Sequence, residues 1–269
     1  MSFCRTLALV LVCATTLFAK SWQVDGIVIA MDPAAGSILV SHRPIDKYMP
    51  AMAMPFRLED ARQLQGLHPG VRVQFELVVN KDHSLARNVR KFPGPDEPIA
   101  APKTQLRPGA PLSAFHLTDE QGHPLSLTDL RGKVLAIDFI YTRCPLPDVC
   151  PRLSANFAAL QRHFHDRLGK DLVLLTITVD PDYDTPAVLA DYAKRWGADH
   201  NGWRFLTGDV ATTAAELGEV YWMDEGSIGH NSMTSVITRD GRLAAMVDGS
   251  AWRVDQLVEL VSHQLEQKQ

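Results

Sequence analysis

The stretch Tyr141-Thr-Arg-Cys-Pro-Leu-Pro-Asp-Val-Cys-Pro151 contains Cys144 and Cys150. The residues before it, 134–141, are apolar and β-branched, which predicts a buried parallel strand. The residues after it predict a helix, because apolar side chains recur at helical spacing at Leu153, Phe157, Leu160, Phe164 and Leu168. The two cysteines are therefore expected in a strand-to-helix turn of an α/β domain.

The prolines of this turn shape the path of the chain between the cysteines. On a continuous α-helix these residues would lie about 9 Å apart along the axis, so their sulfurs converge only if the intervening backbone is not helical. Cys144, Leu146 and Cys150 each precede a proline, which disfavours the αR conformation. Pro151 suits the first turn of a helix, which places Cys150 near a helix N-terminus where a thiolate is favoured. The pattern predicts a reactive pair, and a structural disulfide closing a short loop is the alternative.

The N-terminus has the features of an export signal. Arg5 is followed by an apolar run at residues 6–19, which predicts a signal peptide over residues 1–19, cleaved after Ala19 or retained as an anchor. Cleavage removes Cys4 and Cys13 and leaves 26 Lys and Arg against 31 Asp and Glu, a charge of −5. No basic footprint for nucleic acid remains, and two cysteines are too few for a disulfide scaffold. Cys144 and Cys150 are therefore expected to be functional.

The first domain is expected to be built from short strands. With 269 residues, 46% of them hydrophobic, the chain is long enough for two modest domains. Five β-like segments cover residues 24–31, 37–41, 52–58, 71–79 and 85–91, and only residues 61–67 show a helical period. This spacing predicts a small five-stranded β-barrel, OB-like, over residues 20–92.

Three methionines occur within six residues of this region, in the segment His42-Arg-Pro-Ile-Asp-Lys-Tyr-Met-Pro-Ala-Met-Ala-Met-Pro-Phe56. Met52 and Met54 project to one face of a strand, and His42 on the neighbouring strand can face them. Two thioethers and an imidazole form a soft site suited to Cu(I). Methionines at a period of two also fill β cores, and the spacing by itself favours core packing.

A proline-rich segment separates this region from the second domain. Residues 93–109 contain five prolines and no apolar period, which predicts an extended linker. Residues 110–269 then contain strands at 172–179, 203–206, 235–238 and 243–247. The helices expected between and after them are one capped by residues 184–186, with Val188, Tyr192 and Trp196 on one face, a short one at 210–217 and a last one through 254–265. A parallel crossover followed by a hairpin and a helix predicts a thioredoxin-like α/β fold. No phosphate loop, nucleotide fingerprint or internal repeat is present.

The cysteine turn, the segment Thr178-Val-Asp-Pro-Asp-Tyr-Asp-Thr-Pro186 and His230 resemble the Sco/SenC family of thioredoxin-like copper proteins. The resemblance covers about residues 108–265 and implies that Cys144, Cys150 and His230 bind Cu(I), with Cu(II) as a second form. The family usually has three residues between its cysteines, whereas this chain has five. Without the resemblance, a lone histidine in a glycine-bearing loop is typical of a solvated surface residue. Asp180 and Asp184 also match family positions, although turn formation and helix capping are the favoured interpretation.

His42 and the Met-Pro-Ala-Met-Ala-Met run resemble the CusF family of periplasmic copper-binding barrels over about residues 24–92. The resemblance implies that His42, Met52 and Met54 hold Cu(I) under an aromatic ring. The capping tryptophan of that family is absent here. Met49 occupies about its place beside Tyr48, which makes Met49 a candidate fourth ligand.

Together the two resemblances imply a periplasmic copper chaperone, free after signal cleavage or tethered to the inner membrane. Its expected partner is the copper-site subunit of cytochrome c oxidase or another periplasmic copper client. The alternative is an enzyme, a thiol-disulfide oxidoreductase that uses Cys144 and Cys150 as a redox pair, takes electrons from a thiol reductant and reduces the cysteines of a copper site or another client. The absence of a two-residue gap between the cysteines and the presence of a second copper-like domain favour the chaperone. A peroxidase is a third interpretation, which needs neither the histidine nor the methionines.

Overall fold

The computed structural model describes residues 20–68, 71–80, 83–91, 102–224 and 227–267. The signal peptide expected at residues 1–19 and the first part of the linker, residues 93–101, lie outside the described residues. Within the described ranges, no helix is long and apolar enough to cross a membrane.

The N-terminal body is one antiparallel five-stranded sheet. Its strands are β1 (Lys20–Asp32), β2 (Ser37–His42), β3 (Met52–Arg57), β4 (Arg72–Val79) and β5 (Ser84–Lys91), in the order β3-β2-β1-β4-β5. Inward-facing side chains alternate with outward-facing ones, as the period-two pattern requires, and Val40, Phe56 and Phe75 are buried in its core. The five strands expected from the sequence are confirmed to within a few residues, and the helical period after β3 corresponds to one 3-10 turn, Ala61–Leu64.

The two outer strands of this sheet meet at a single point. Leu58 bridges Ala86, the Glu59 amide donates to the Ala86 carbonyl at 2.9 Å, and Arg87 pairs with Glu59 at 2.8 Å. Among the described residues, β3 and β5 share no continuous ladder. Closure of the sheet into a complete barrel therefore stays a prediction.

The C-terminal body is a seven-stranded mixed sheet with helices, and a small hairpin lies between the third helix and the last two strands along the chain. Its strands are β6 (His116–Asp119), β7 (Pro124–Ser126), β8 (Val134–Ile140), β9 (Leu172–Thr178), β10 (Trp203–Thr207), β11 (Tyr221–Asp224), β12 (Ser227–His230), β13 (Thr234–Ile237) and β14 (Leu243–Val247). The helices are α1 (Cys150–His163), α2 (Pro186–Trp196), α3 (Ala211–Glu216) and α4 (Val254–Glu266). The sheet order is β14-β13-β8-β9-β10-β6-β7, and β11 and β12 form a separate two-stranded sheet.

The centre of the large sheet is parallel, with β8 beside β9 and β9 beside β10. Every residue of β8 and β9 is buried, which explains why both strands are apolar apart from Asp138, Thr176 and Thr178. The strand β13 then pairs antiparallel with β8, and α4 closes the fold, as expected for a thioredoxin-like layout. The helix α1 is shorter than its apolar period predicts, because it ends at His163 and Leu168 instead bridges Leu172 at the start of β9.

The two bodies pack against each other through the outer face of β1 and β2. Ile27 and Ile29 on β1 are buried in the core of the C-terminal body, and Leu39 on β2 packs against the same core. On α4, burial raises the pKa of Glu259, and the Ser41 side chain of β2 opposes that rise. The described end of the linker also lies on the C-terminal body, where the Leu106 amide donates to the carbonyl of Glu216 at 2.8 Å.

Candidate metal centres

The cysteine turn brings two thiols of unequal exposure to the N-terminus of α1. Cys150 is the first residue of α1 and is fully buried, whereas Cys144 lies in the preceding turn and is partly exposed. Both are free thiols. The backbone between them turns twice, with hydrogen bonds from the Cys144 amide to Tyr141 and from the Val149 amide to Leu146. The expected strand-to-helix turn is confirmed.

Two aspartates fasten this turn to the end of β9. Asp184 is fully buried and accepts hydrogen bonds from the Thr142 amide at 3.0 Å, the Thr142 hydroxyl and the Thr178 hydroxyl at 2.5 Å. Asp180 forms an ion pair with Arg143 at 2.5 Å. The cap of α2 is the neighbouring Thr185, not Asp184. The two aspartates therefore hold the cysteine turn in position.

The third predicted ligand, His230, meets the cysteines from a different element. Its Nε2 lies 3.4 Å from the Cys150 sulfur, and its ring contacts Tyr141 edge-on at 6.1 Å between centroids. The sequence placed His230 in a loop, but it is the last residue of β12, where it pairs with Tyr221 on β11. Sequence inspection missed this hairpin because each of its strands has only four residues. The histidine is not solvated, since its side chain is 2% exposed.

A buried carboxylate behind His230 was also missed. Glu219 has a side chain that is 0% exposed, and its Oε1 accepts a hydrogen bond from His230 Nδ1 at 2.7 Å. Its other oxygen accepts from the Met233 amide at 2.6 Å. This arrangement fixes the tautomer of His230 and directs Nε2 toward Cys150. The only sequence signal was an acidic residue among apolar ones, between Gly218 and Val220.

The electrostatics of the two thiols differ from the expectation drawn from the helix N-terminus. Hydrogen bonding to the Cys150 side chain lowers the pKa of Cys144 to about 5. The same hydrogen bond, together with burial, raises the pKa of Cys150. The thiolate expected at Cys150 is therefore at Cys144, because Cys150 is the buried partner that donates.

Asp138 on β8 is a second buried acid beneath this site. Burial raises its pKa to about 8, the Thr176 side chain opposes that rise, and the negative charge of Glu219 adds to it. The Asp138 charge also contributes to the raised pKa of Cys150. The floor of the cysteine site thus carries carboxyl groups that no solvent reaches.

The methionine segment lies on β2 and β3 as the sequence predicts. His42 pairs with Met52, and Val40 pairs with Met54, so both methionines share the inward face that carries His42. The His42 ring is 0% exposed and contacts the Phe56 ring edge-on at 5.6 Å. Met52 is 44% exposed and Met54 is partly buried, which is less burial than core-filling methionines have.

His42 has one ring nitrogen held and one left free. Its Nδ1 donates to the carbonyl of Arg43 at 2.7 Å, which leaves the Nε2 lone pair without a proton. Nε2 is buried and has no hydrogen-bond partner among the described residues. A buried acceptor of this kind beside two thioethers fits a soft metal ion.

The remaining candidate, Met49, packs partly against the N-terminal core, and its backbone pairs with Ile45. Tyr48 beside it stacks on Trp22, with ring centroids 4.1 Å apart. Across the described part of the chain, no three His, Cys, Asp or Glu side chains form a preformed metal cluster. The assignments of the ligands at both centres therefore stay predictions.

Comparison with known proteins identifies the family. Residues 104–266, more than half of the chain, match the family model described as SCO1/SenC. The chain belongs to the SCO1/SenC family. Residues 21–90 of this SCO1/SenC protein also match the family model described as copper binding periplasmic protein CusF. Both resemblances drawn from the sequence are confirmed.

The relatives of this SCO1/SenC protein include bacterial and plant members. The SCO1 protein homolog of Bacillus subtilis is 32% identical over 36% of this chain and 49% of its own length, so this chain spans about half of that relative. A SCO2-like protein of Rickettsia prowazekii is 29% identical over 55% of this chain and 75% of its own length.

Solved structures support the fold of the C-terminal body. A SCO1/SenC family lipoprotein from Bacillus anthracis aligns with a TM-score of 0.53 at 26% identity over 58% of this chain and 96% of its own. Arabidopsis thaliana ScoI, solved with copper bound, aligns with a TM-score of 0.51 at 25% identity over 59% of this chain and 100% of its own. The thioredoxin-like fold expected for the C-terminal body is confirmed.

Proposed function

We propose that this protein binds copper and delivers it to a copper-site protein of the periplasm, in the assembly of cytochrome c oxidase. In this proposal residues 1–19 are a signal peptide, either cleaved or kept as an anchor. Residues 20–92 are a copper-binding domain, residues 93–109 a linker and residues 110–269 a Sco domain. The CusF-type domain and the lipoprotein relative support a location in the periplasm or at its membrane.

The approach of His230 to Cys150 carries the proposal for the C-terminal centre. An imidazole nitrogen faces a thiol at 3.4 Å, and Glu219 holds the ring from behind. Cys144 is the next thiol in the same turn and has the lowered pKa. Two thiolates and one imidazole form a soft donor set that suits Cu(I), and the carboxylate behind the imidazole strengthens it as a ligand.

The free Nε2 of His42 carries the proposal for the N-terminal centre. The atom is buried without a partner among the described residues, on the face that it shares with Met52 and Met54. Copper supplies the missing contact, and the thioethers favour Cu(I) over harder ions such as Zn(II). Met49 is the candidate for a fourth position.

Counting copper on the whole protein tests both centres. The reduced, anaerobic, full-length protein should bind two Cu(I) ions per chain, and X-ray absorption should show sulfur with nitrogen at each centre. The double variant Met52→Leu/Met54→Leu, which nearly conserves volume, should retain one ion, and Cys144→Ser/Cys150→Ser should retain the other. A folded methionine variant that still binds two ions would contradict the N-terminal assignment.

A thiol-disulfide reductase is the second candidate function, and the unequal exposure of the thiols favours it. Cys144 is accessible and has a lowered pKa, as an attacking thiol requires, whereas Cys150 is buried beside it as a resolving thiol. Cys144 attacks one sulfur of a client disulfide, and the other client sulfur leaves as a thiolate. Cys150 then attacks Cys144, which yields a reduced client and the Cys144–Cys150 disulfide. A thiol reductant restores the pair.

A further inference from the structure

A groove of about 380 Å³ opens beside Cys144, on the side of the thiol that faces α2. Its lining comes from the cysteine turn, the start of α1 and one face of α2, and consists of Tyr141, Thr142, Cys144, Pro151, Tyr192, Arg195 and Trp196. No described residue of the hairpin that carries His230 lines it. The groove therefore shares Cys144 with the proposed copper centre and otherwise lies outside it.

Aromatic side chains give the groove an apolar wall. Tyr192 and Trp196 lie one helical turn apart on α2, with ring centroids 6.2 Å apart. Tyr192 is held in place by a hydrogen bond of 2.9 Å between its hydroxyl and that of Ser154. A wall of rigid rings beside a partly exposed thiol is suited to the apolar part of a peptide chain.

One charged side chain, Arg195, lines this groove, and it is exposed. Its guanidinium lies 5.1 Å from the centre of the Tyr192 ring, and no carboxylate lies within 4 Å of it in the described part of the chain. The nearby arginines differ, because Arg143 pairs with Asp180 and Arg152 pairs with Asp148. The groove thus offers an unpaired cation beside the thiol, which favours an anionic group on whatever binds there.

We propose that this groove binds an extended segment of a client protein in which an acidic residue flanks the cysteine that reacts with Cys144. The inference rests on the reductase activity proposed above and names its substrate class. The rings contact the residues around the client cysteine, and Arg195 pairs with the acidic side chain. The two electrons come from Cys144 and Cys150 and pass to the client disulfide; of the two protons that the client thiols take up, one comes from the Cys150 thiol and one from solvent.

The test uses the reduced, copper-free, full-length protein and three cyclic peptides, each closed by one disulfide. The peptides differ only in the residue before the first cysteine, which is Glu, Gln or Lys. The rate constant for oxidation of the protein thiols is measured for each peptide. We expect a preference for the Glu peptide over the Lys peptide of about fivefold, the effect of one partly exposed ion pair. Using the Glu-to-Lys ratio cancels any general change in thiol reactivity.

Variants of two neighbouring cations decide whether the groove is responsible. Arg195→Gln should remove the preference, and Arg195→Glu should reverse it. Lys194→Glu makes the same charge change one residue earlier, in the same last turn of α2, on a side chain that does not line the groove. This variant should keep the wild-type preference. If Lys194→Glu and Arg195→Glu change the preference equally, the preference comes from the overall charge of this surface, and the groove proposal is overturned.

The outcomes separate the groove from the activity on which it depends. If the wild-type protein reduces the uncharged bis(2-hydroxyethyl) disulfide but shows no preference among the peptides, the groove proposal fails and the reductase stands. If it reduces none of these disulfides, both fail. Glutathione disulfide is the small anionic competitor. Suppose that Arg195→Glu slows the reduction of glutathione disulfide as strongly as that of the Glu peptide, and that Trp196→Ala slows neither reduction. The groove then binds a small anion, and the peptide proposal is overturned.

Discussion

His42 and His230 are both held through Nδ1, which leaves Nε2 as the candidate ligand atom, but the groups that hold them differ. In each ring Nδ1 is hydrogen-bonded at 2.7 Å. Nε2 of His230 lies 3.4 Å from the Cys150 sulfur, and Nε2 of His42 is buried without a partner among the described residues. The partner of His42 is the carbonyl of the next residue, so the support is local and neutral. The partner of His230 is the carboxylate of Glu219, which comes from another element and is fully buried. Only His230, of these two proposed ligands, is thus held by a charged partner.

The sulfur atoms proposed as ligands also differ between the two centres, because one centre has methionines and the other has cysteines. Thioethers of methionine neither titrate nor form disulfides, whereas thiols do both. Copper binding by the thiols of the proposed C-terminal centre should therefore depend on redox state and pH. Copper binding by the methionine sulfurs of the proposed N-terminal centre should not. We therefore expect the C-terminal centre to bind copper only when its cysteines are reduced, and the N-terminal centre to bind copper in either redox state.

Mild oxidation of the copper-free protein should separate the centres most strongly. Once Cys144 and Cys150 form a disulfide they cannot act as thiolates, so we expect the copper capacity to fall from two ions to one. The retained ion should show methionine and histidine ligation by X-ray absorption. Reduction should restore the second ion. A loss of both ions on oxidation would show that the centres are not independent.

Replacement of Glu219 should weaken only the C-terminal centre. Glu219→Gln keeps the shape but removes the charge behind His230, and we expect about 10- to 100-fold weaker Cu(I) binding there, the usual cost of removing such a supporting carboxylate. Binding at His42 should not change. Glu216→Gln is the matched control, because Glu216 bonds Ser113 and not His230. Equal weakening by both substitutions would contradict the role given to Glu219.

The buried acid beneath the cysteines should make stability depend on pH. The pKa of Asp138 is about 8 in the fold and 3.8 ordinarily, so between these values the folded protein holds one more proton than the unfolded chain. Stability therefore falls as the pH rises through this range. Asp138→Asn should raise the free energy of unfolding at pH 8 by about 2 kcal/mol, or the melting temperature by about 4 to 8 °C, with little change near pH 4.

Asp184→Asn is the contrasting control for that measurement. Asp184 is equally buried but accepts hydrogen bonds from Thr142 and Thr178, so an amide nitrogen there would face donors. This variant should lower stability by about 1 to 3 kcal/mol. Stabilisation by both substitutions, or by neither, would show that hydrogen bonding does not distinguish these two equally buried acids. Thermal unfolding followed between pH 4 and pH 8 measures both.

The sequence predicted those features that leave a period or a motif. The seven-residue strands β8 and β9 are mostly apolar, and the strands of the N-terminal sheet alternate, so both domains were recognised. Cys144, Cys150 and His42 were identified because thiols, and a histidine near a methionine run, are rare patterns. The position of His230 within a strand was not, because a four-residue hairpin has too few residues to show a period.

Other features depend on packing and could not be read from the chain. Glu219 is one of 31 acidic residues, and only the fold brings it behind His230. Leu168 continues the apolar period of α1, yet the helix stops at His163 because the chain must turn back to begin β9. The opposite pKa shifts of the two thiols follow from the hydrogen bond between their side chains and from the burial of Cys150, which neither spacing nor the helix dipole reveals.

The packing of β1 and β2 on α4 has a practical consequence for anyone who divides this protein in two. Ile27, Ile29 and Leu39 lie on the outer face of a sheet that otherwise resembles a self-sufficient unit, and they are covered by the C-terminal body. A fragment cut at the linker would expose these side chains as an apolar patch on β1 and on β2, the strand that carries His42. Self-association of such a fragment, or altered metal uptake by it, would then be an artefact of excision. Point substitutions in the intact chain avoid that artefact.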